Sequence, residues 1–319
     1  MKRMGILFLL FLSSIIILLT GCDFREVLDD YPVSGVRIKL NWNGVTEKLP
    51  EGMRVIFYPK SAEGRKVDKY ISTIGGEVPV PPGHYSVVIY NYNTECIEIC
   101  GESSYETIEA FALPCSEMNL PEEMVWAPDP LYVVALDEIK IEKSDIETQL
   151  EFKPENVVKR YTFEIKVGGL KNVAKVICDV KGLDGSFFMG LNSCRTSKLP
   201  VYVEMQKGDG ILKGVFSSFI MAKRDYSCSK ATRADAEVMM TLKLVKVDNS
   251  IQEVKVDITK VVVPPDPPVG GEEPQAPDAG VKIEIPLEED IVVDDVPGVD
   301  GGGIGGDVGG WGDETEVEL

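Results

Sequence analysis

Apolar and polar residues alternate strictly over residues 36–42, with Val36, Ile38, Leu40 and Trp42 on one side and Arg37, Lys39 and Asn41 on the other. A period of two is that of a strand with one buried face. Residues 161–167 repeat it. Tyr161, Phe163, Ile165 and Val167 face one way, Thr162, Glu164 and Lys166 the other, and Gly168-Gly169 ends the run. Next, Ala174, Val176, Cys178 and Val180 share a face, which puts Cys178 in a core. Residues 53–58, 84–92, 96–100, 201–205, 211–216, 239–247 and 254–263 extend the series, separated by Gly, Pro, Asn and Asp. Strands at such short spacing indicate antiparallel sandwiches. Only short stretches such as 233–240 have helical character, and none has the length of an amphipathic helix. The pattern predicts an all-β protein of two tandem antiparallel β-sandwich domains, 33–125 and 131–263. The irregular stretch around Pro114, Pro121, Pro128 and Pro130 divides them.

The two ends of the chain break this pattern. Lys2 and Arg3 precede an apolar run over residues 6–19, interrupted only by Ser13 and Ser14, and Leu19-Thr20-Gly21-Cys22 follows. A charged start, a short apolar stretch and small residues at the cut describe a secretory signal, and the run falls short of the ~20 residues that span a bilayer. The arrangement resembles the lipobox of bacterial lipoproteins. That resemblance implies diacylglyceryl transfer to the Cys22 sulfur, cleavage before Cys22 and acylation of the new amino terminus. A thiol is the nucleophile a thioether needs, and Gly21 leaves the bond accessible. Residues 1–21 are then a signal peptide, Cys22 is the lipidation site, and 22–32 form a tether.

At the other end, Pro264-Pro265-Asp266-Pro267-Pro268 is a stiff spacer. Residues 281–287 alternate like a strand, although Pro286 confines it to an edge or an end. Residues 296–310, rich in Gly and Asp, bury too little apolar surface to order. Residues 311–319 alternate weakly. The tail 264–319 is expected to be largely disordered, and 281–287 and 314–319 are its candidates for adding a strand to a sheet of the same chain or of a partner.

Charge follows the same division. The chain carries a formal −19, but residues 264–319 hold 16 of its 52 acidic residues against one lysine, Lys282, so −15 of the total lies in the tail. The body has an ordinary surface without the basic patch that nucleic acid requires.

Little catalytic chemistry is visible. His84, the one histidine, sits beside Pro81-Pro82-Gly83, a turn setting. Gly301-x-Gly303-x-x-Gly306 matches a dinucleotide fingerprint in letters, without the strand and helix that make it work. A single copy of a calcium nonapeptide-like unit over 302–307 lacks the stacked neighbours that complete a cage. No cofactor, metal or catalytic constellation is expected. Once Cys22 is lipidated, Cys96, Cys100, Cys115, Cys178, Cys194 and Cys228 remain. An exported chain permits disulfides, and six cysteines allow ~15 pairings. The pairing stays open, as does the alternative that most are reduced and buried.

Residues 36–42 and the run Val78-Pro-Val-Pro-Pro-Gly-His-Tyr-Ser-Val-Val-Ile-Tyr-Asn91, behind a lipobox, resemble the first domain of Bacteroidales fimbrillin-like lipoproteins. Val158-Lys-Arg-Tyr-Thr-Phe-Glu-Ile-Lys-Val167, Gly169-Leu-Lys-Asn-Val173 and Gly182-Leu-Asp-Gly185 resemble the second sandwich of fimbrial anchor and accessory lipoproteins. The resemblance covers about residues 33–263. It implies two transthyretin-like domains on an outer-membrane, lipid-anchored surface protein that is no enzyme and works by protein–protein contact with fimbrial subunits or other surface proteins. The extra cysteines and long acidic tail favour an anchor, tip or accessory role over a stalk. Two alternatives stand beside it. One is a glycan- or ligand-binding lipoprotein of a nutrient-uptake system, using aromatics such as Trp42, Tyr58, Tyr85, Tyr90 and Tyr92. The other is an exported hydrolase built on His84 or a carboxylate pair. Core packing is the expected role of most of these aromatics, and Trp126 is expected at the boundary between the halves.

Overall fold

Strands form where the alternation predicts them, and further strands join them from stretches with no clear period. The computed structural model describes residues 35–115, 122–143, 148–220, 237–262, 280–287 and 289–294. The signal sequence, Cys22, the tether, Cys228 and residues 295–319 lie outside the described residues. In chain order the strands are β1 (Gly35–Leu40), β2 (Gly52–Pro59), β3 (Val67–Ser72), β4 (Gly75–Pro79), β5 (Gly83–Asn91), β6 (Ile97–Cys100), β7 (Glu109–Ala112), β8 (Tyr132–Ile141), β9 (Thr148–Phe152) and β10 (Glu155–Asn156). They continue as β11 (Val158–Gly168), β12 (Val173–Lys181), β13 (Asp184–Phe188), β14 (Ser193–Thr196), β15 (Val201–Lys207), β16 (Ile211–Phe219), β17 (Met239–Lys246), β18 (Ile251–Asp257), β19 (Val281–Lys282) and β20 (Ile291–Val292). The protein is all-β, as expected. Its described helices are a single 3-10 turn at Leu170–Asn172 and one α-helical turn, α1 (Thr259–Val262), which begins where Asp257 Oδ1 accepts the Thr259 N–H at 2.8 Å and closes the strand predicted to run to 263. Of the stretch with helical character, residues 233–236 lie outside the described residues, and Met239 and Met240 open β17, the strand expected over 239–247.

The first sheet runs β10-β8-β5-β2-β3-β4-β1-β9. β8, β9 and β10 therefore return to it from beyond the Pro-rich stretch, and the first half extends to Asn156 rather than ending at 125. The Asn91 side chain supplies the physical reason. It donates to the Pro130 carbonyl at 3.1 Å and accepts the Tyr132 N–H at 2.6 Å, steering the chain back alongside β5. Val36, Ile38, Met53, Val55, Phe57, Val87 and Ile89 gather in one core as this sheet curls over itself. The Pro-Gly-x-Tyr turn before β5 also has a local cause. The Tyr85 hydroxyl folds back to donate to the Pro81 carbonyl at 2.9 Å, and its ring packs over Gly83.

The second large sheet runs β18-β17-β12-β15-β16-β11-β19, with β20 also on β11. β15 turns its corner, pairing with β12 through Val201 and Val203 and with β16 from Glu204 onward. Cys178 is fully buried as predicted, but an irregularity in register between Val173 and Lys175 shifts the phase of β12. Val173 faces the core and Ala174 is exposed, because an inserted residue turns every earlier side chain to the other face.

A four-stranded sheet, β14-β13-β7-β6, joins the halves. Each half lends one hairpin, and β7 and β13 pair antiparallel. Ile56, Tyr58 and Tyr90 of the first sheet, Ala110 and Phe187 of the joint sheet, and Phe163 and Phe216 of the second half form one continuous apolar cluster.

Residues 122–126 cross the outer face of the second half, where Met124 packs with Cys115 and Ile177. Beneath them Asp179 is only 1 % exposed, and its Oδ1 has no hydrogen-bond partner among the described residues. Burial pushes its carboxyl above the ordinary carboxylate range, against the pull of Lys181 and Lys243. The fold thus prefers the protonated form. The stability this group contributes is complete below the unfolded carboxylate value of about 3.9 and is lost as pH rises through the raised folded value. Asp179→Asn, of the same shape and uncharged, is expected to stabilise the protein at pH 7 by about 1–2 kcal/mol. The gain should fade toward zero below about pH 4. Thermal unfolding at the two pH values tests it, and a variant no more stable than the native protein at pH 7 refutes it.

Candidate functional site

β11 has one occupied and one open side. Against β16 it pairs continuously from Val158↔Phe219 to Lys166↔Ile211. Its alternation sends Tyr161, Phe163, Ile165 and Val167 into the core, so the backbone of its other side would be an exposed strand edge. Part of the tail covers that edge in cis. β19 adds parallel at Tyr161↔Val281 and Thr162↔Lys282, and β20 adds parallel at Val167↔Ile291 and Gly168↔Val292. Backbone bonds from Ile283 N–H to Thr162 O (2.8 Å) and from Val293 N–H to Gly168 O (2.9 Å) extend the two contacts.

Pro286 lies between the contacts and cannot donate to a ladder, which fits the interruption. Ile283, Ile291 and Val293 are 5 %, 5 % and 2 % exposed, inserted into the shared core. Around them Gln252 Nε2 donates to Val292 O at 3.1 Å, Asn172 Nδ2 to Asp294 O at 3.3 Å, and Lys282 to Glu164 at 3.4 Å. Residues 281–287, expected to join a sheet edge, thus do so on their own chain. The second contact, 291–293, was too short to show a period and was missed. The other candidate, 314–319, lies outside the described residues.

The close approach depends on Gly169. It has φ +68°, a backbone conformation that L side chains rarely adopt, and a Cβ there would collide with the Val293 carbonyl oxygen. A glycine read from sequence as a strand stop also makes room for the tail.

The most strongly coupled charged group lies elsewhere, on the outer side of β2. Arg54 Nε and Nη2 donate to the two oxygens of Asp68 at 3.0 and 2.8 Å. Its Nη1 donates to the Tyr90 hydroxyl at 2.8 Å and to Glu102, and the guanidinium lies 5.5 Å from the Tyr70 ring centroid. The Arg54 hydrogen bond, the largest cause, holds Asp68 below the usual carboxylate range, and burial raises the Tyr90 and Tyr58 hydroxyls. With its donors engaged inside the protein, this cluster pins β2, β3, β5 and the β6–β7 loop together.

His84 begins β5, half-exposed, with Nδ1 2.9 Å from Glu138 Oε1. It lines a surface depression that includes Pro59, Ser61 and Arg65. Ser61 Oγ, the hydroxyl nearby, accepts the Glu63 N–H at 3.3 Å. Burial pushes the Cys96 and Cys115 thiols up to about 11 and raises Cys178 further, which suppresses thiolate chemistry. Among the described residues no disulfide joins Cys96, Cys100, Cys115 or Cys178. Tyr58, Tyr85 and Tyr90 are core residues, and Trp42 stacks edge-on against Tyr132 with its indole N–H on Thr73 O. Trp126 sits at the junction, edge-on to Tyr202 at 5.7 Å. The predicted lipidation site, Cys22, lies outside the described residues.

A family described as Domain of unknown function (DUF5119) matches residues 21–204. The chain is 46 % identical over 325 residues to a candidate fimbrium anchoring subunit, Fim4B, of Bacteroides ovatus, covering 98 % of this chain and 97 % of that protein. A crystal structure of a candidate adhesin from Bacteroides ovatus superposes with a TM-score of 0.70 at 44 % identity, covering 86 % of this chain and 97 % of the other. A second candidate adhesin from Bacteroides ovatus, at 9 % identity and TM-score 0.52, covers 83 % of this chain and 90 % of its own, and shares the fold alone.

Proposed function

We propose that this chain, which belongs to the DUF5119 family, is the anchoring subunit of a surface fimbrium, non-enzymatic, held to the outer membrane by lipid on Cys22. The observation that carries this is the 46 % identity to Fim4B, which runs through both halves of the body and 98 % of the chain. Two structural features support it. An anchor must pass tension from its membrane end to the subunit it holds, and here a joint sheet and a continuous core tie the two halves together. It must also present a surface another chain can grip. The β11 edge, met by two short parallel contacts of its own tail, is the kind of surface that takes a partner strand by main-chain pairing. Other fimbrial subunits are the partners this reading implies.

Cys22→Ser tests the reading in a producing strain. Labelled palmitate should no longer enter the protein, the protein should leave the membrane fraction, and fimbriae should be shed into the medium. Wild-type numbers of attached fimbriae with the protein still in the membrane would overturn it.

A further inference from the structure

We propose that the cavity at the junction of the two halves is a binding site for a neutral saccharide of one or two rings. The cavity is about 410 Å³, within the range of small-ligand sites. Its floor is the outer face of β11, β15 and β16. Register places Glu204 opposite Val215 and Arg160 opposite Ser217, so Tyr202, two residues before Glu204, falls in the row of Ser217 and Arg160. Its wall is the segment 126–130, which puts the Trp126 indole edge-on to Tyr202.

The wall is fixed before any ligand arrives. Asp129 Oδ2 accepts the Glu95 and Cys96 N–H groups at 2.7 and 2.6 Å, and Ser217 Oγ donates to Pro128 O at 2.7 Å. A prearranged wall lowers the ordering cost of binding.

The lining sorts into two chemistries. Trp126 and Tyr202 contribute aromatic surface to the lining, the kind that packs against the C–H groups of a pyranose. Around them the Arg160 guanidinium, the Glu204 carboxylate and the Asn156 amide nitrogen have no hydrogen-bond or ion-pair partner among the described residues. Planar forks of donors and acceptors match pairs of adjacent hydroxyls. Charge narrows the class further. Three acidic residues (Glu47, Asp129, Glu204) against two basic ones (Lys159, Arg160) disfavour phosphate and other strong anions. The cavity adjoins the β11 edge but uses Val158 to Arg160, whereas the tail pairs from Tyr161 onward, so this proposal can fail while the anchoring role stands, and the reverse.

The test uses the full-length lipoprotein in detergent, titrated with neutral mono- and disaccharides of glucose, galactose, mannose and N-acetylglucosamine. Binding is read from tryptophan emission and from saturation-transfer NMR. At least one sugar should bind at millimolar concentration or tighter, weakened about tenfold or more by Trp126→Ala and by Arg160→Gln. Arg160 is exposed, so its variant keeps the fold even where Trp126→Ala perturbs it. Trp42→Phe should leave binding unchanged. The proposal is overturned if no sugar in the panel binds, or if binding survives both Trp126→Ala and Arg160→Gln.

Discussion

Arg54→Ala is expected to cost the protein about 3 kcal/mol at neutral pH, the low end of what removing one partner of a buried ion pair costs. The low end applies because the Arg54, Asp68 and Glu102 side chains keep 18 %, 27 % and 29 % exposure, and water screens what remains. Alanine leaves two carboxylates facing a space their shared cation has vacated, and it strips the cation from the rings of Tyr70 and Tyr90. For a chain of this size the melting temperature should fall by roughly 6–12 °C. The pH dependence has a definite sign. Asp68 is depressed in the folded state, so its contribution is present above the unfolded value of about 3.9 and is lost as pH falls through the folded one. Native and variant curves should therefore converge in acid. Arg54→Lys keeps the charge but not the two-pronged geometry, and should fall between them. A variant melting within about 2 °C of the native protein at pH 7 would show that the cluster is decoration.

Local pattern and tertiary consequence part company at identifiable residues. The alternation of 36–42 and 161–167 was legible because each strand buries one face, and period two follows from that alone. The membership of β8 and β10 was not, since β8 enters beside β5 where Asn91 grips the backbone on both sides of Leu131, some forty residues away in sequence. Pro114 to Pro130 looked like a divide. Instead Pro114 and Val125 form a bridge, and Val125 also meets Val201 of the second half. Prolines marked irregular backbone correctly and said nothing of whether that backbone was pinned. The phase slip in β12 is invisible to any periodicity, as it inserts a single residue.

The resemblance to fimbrial-anchor lipoproteins, drawn from turns and strand ends, agrees with the full-length likeness to Fim4B. Its motif residues turn out to have local jobs, Tyr85 closing the turn on Pro81 and Asn91 holding Pro130 and Tyr132. The tail strand at 281–287 was readable by the same alternation as the body. The junction cavity was not, because Trp126 acquires its partners only when β15 and β16 arrive beneath it.

Gly169→Val should detach the tail from β11 while leaving the body folded. A β-branched residue at φ +68° is strained in itself, and its Cβ would meet the Val293 carbonyl oxygen. The chain has a simple escape, which is to release residues 289–294 and with them the shorter contact at 281–283, which is left with two paired residues. Because that escape exists, the cost of the contact cannot exceed the free energy with which the tail docks. Hydrogen exchange reads the outcome directly. The Val293 and Ile283 amides, bonded to Gly168 O and Thr162 O, should lose protection, while the β16 amides that pair with the other side of β11 keep theirs. Val293→Asp should release the same segment from the other partner, since a carboxylate there would be buried without a counter-charge. The two variants differ in one respect. A synthetic peptide of the native sequence 280–294 should rebind to the Val293→Asp protein, whose edge is intact, and fail to rebind to Gly169→Val, whose edge is obstructed. Native protection of the Val293 amide in Gly169→Val would show that the tail does not need the glycine, and equal rebinding to both variants would place its grip elsewhere than on β11.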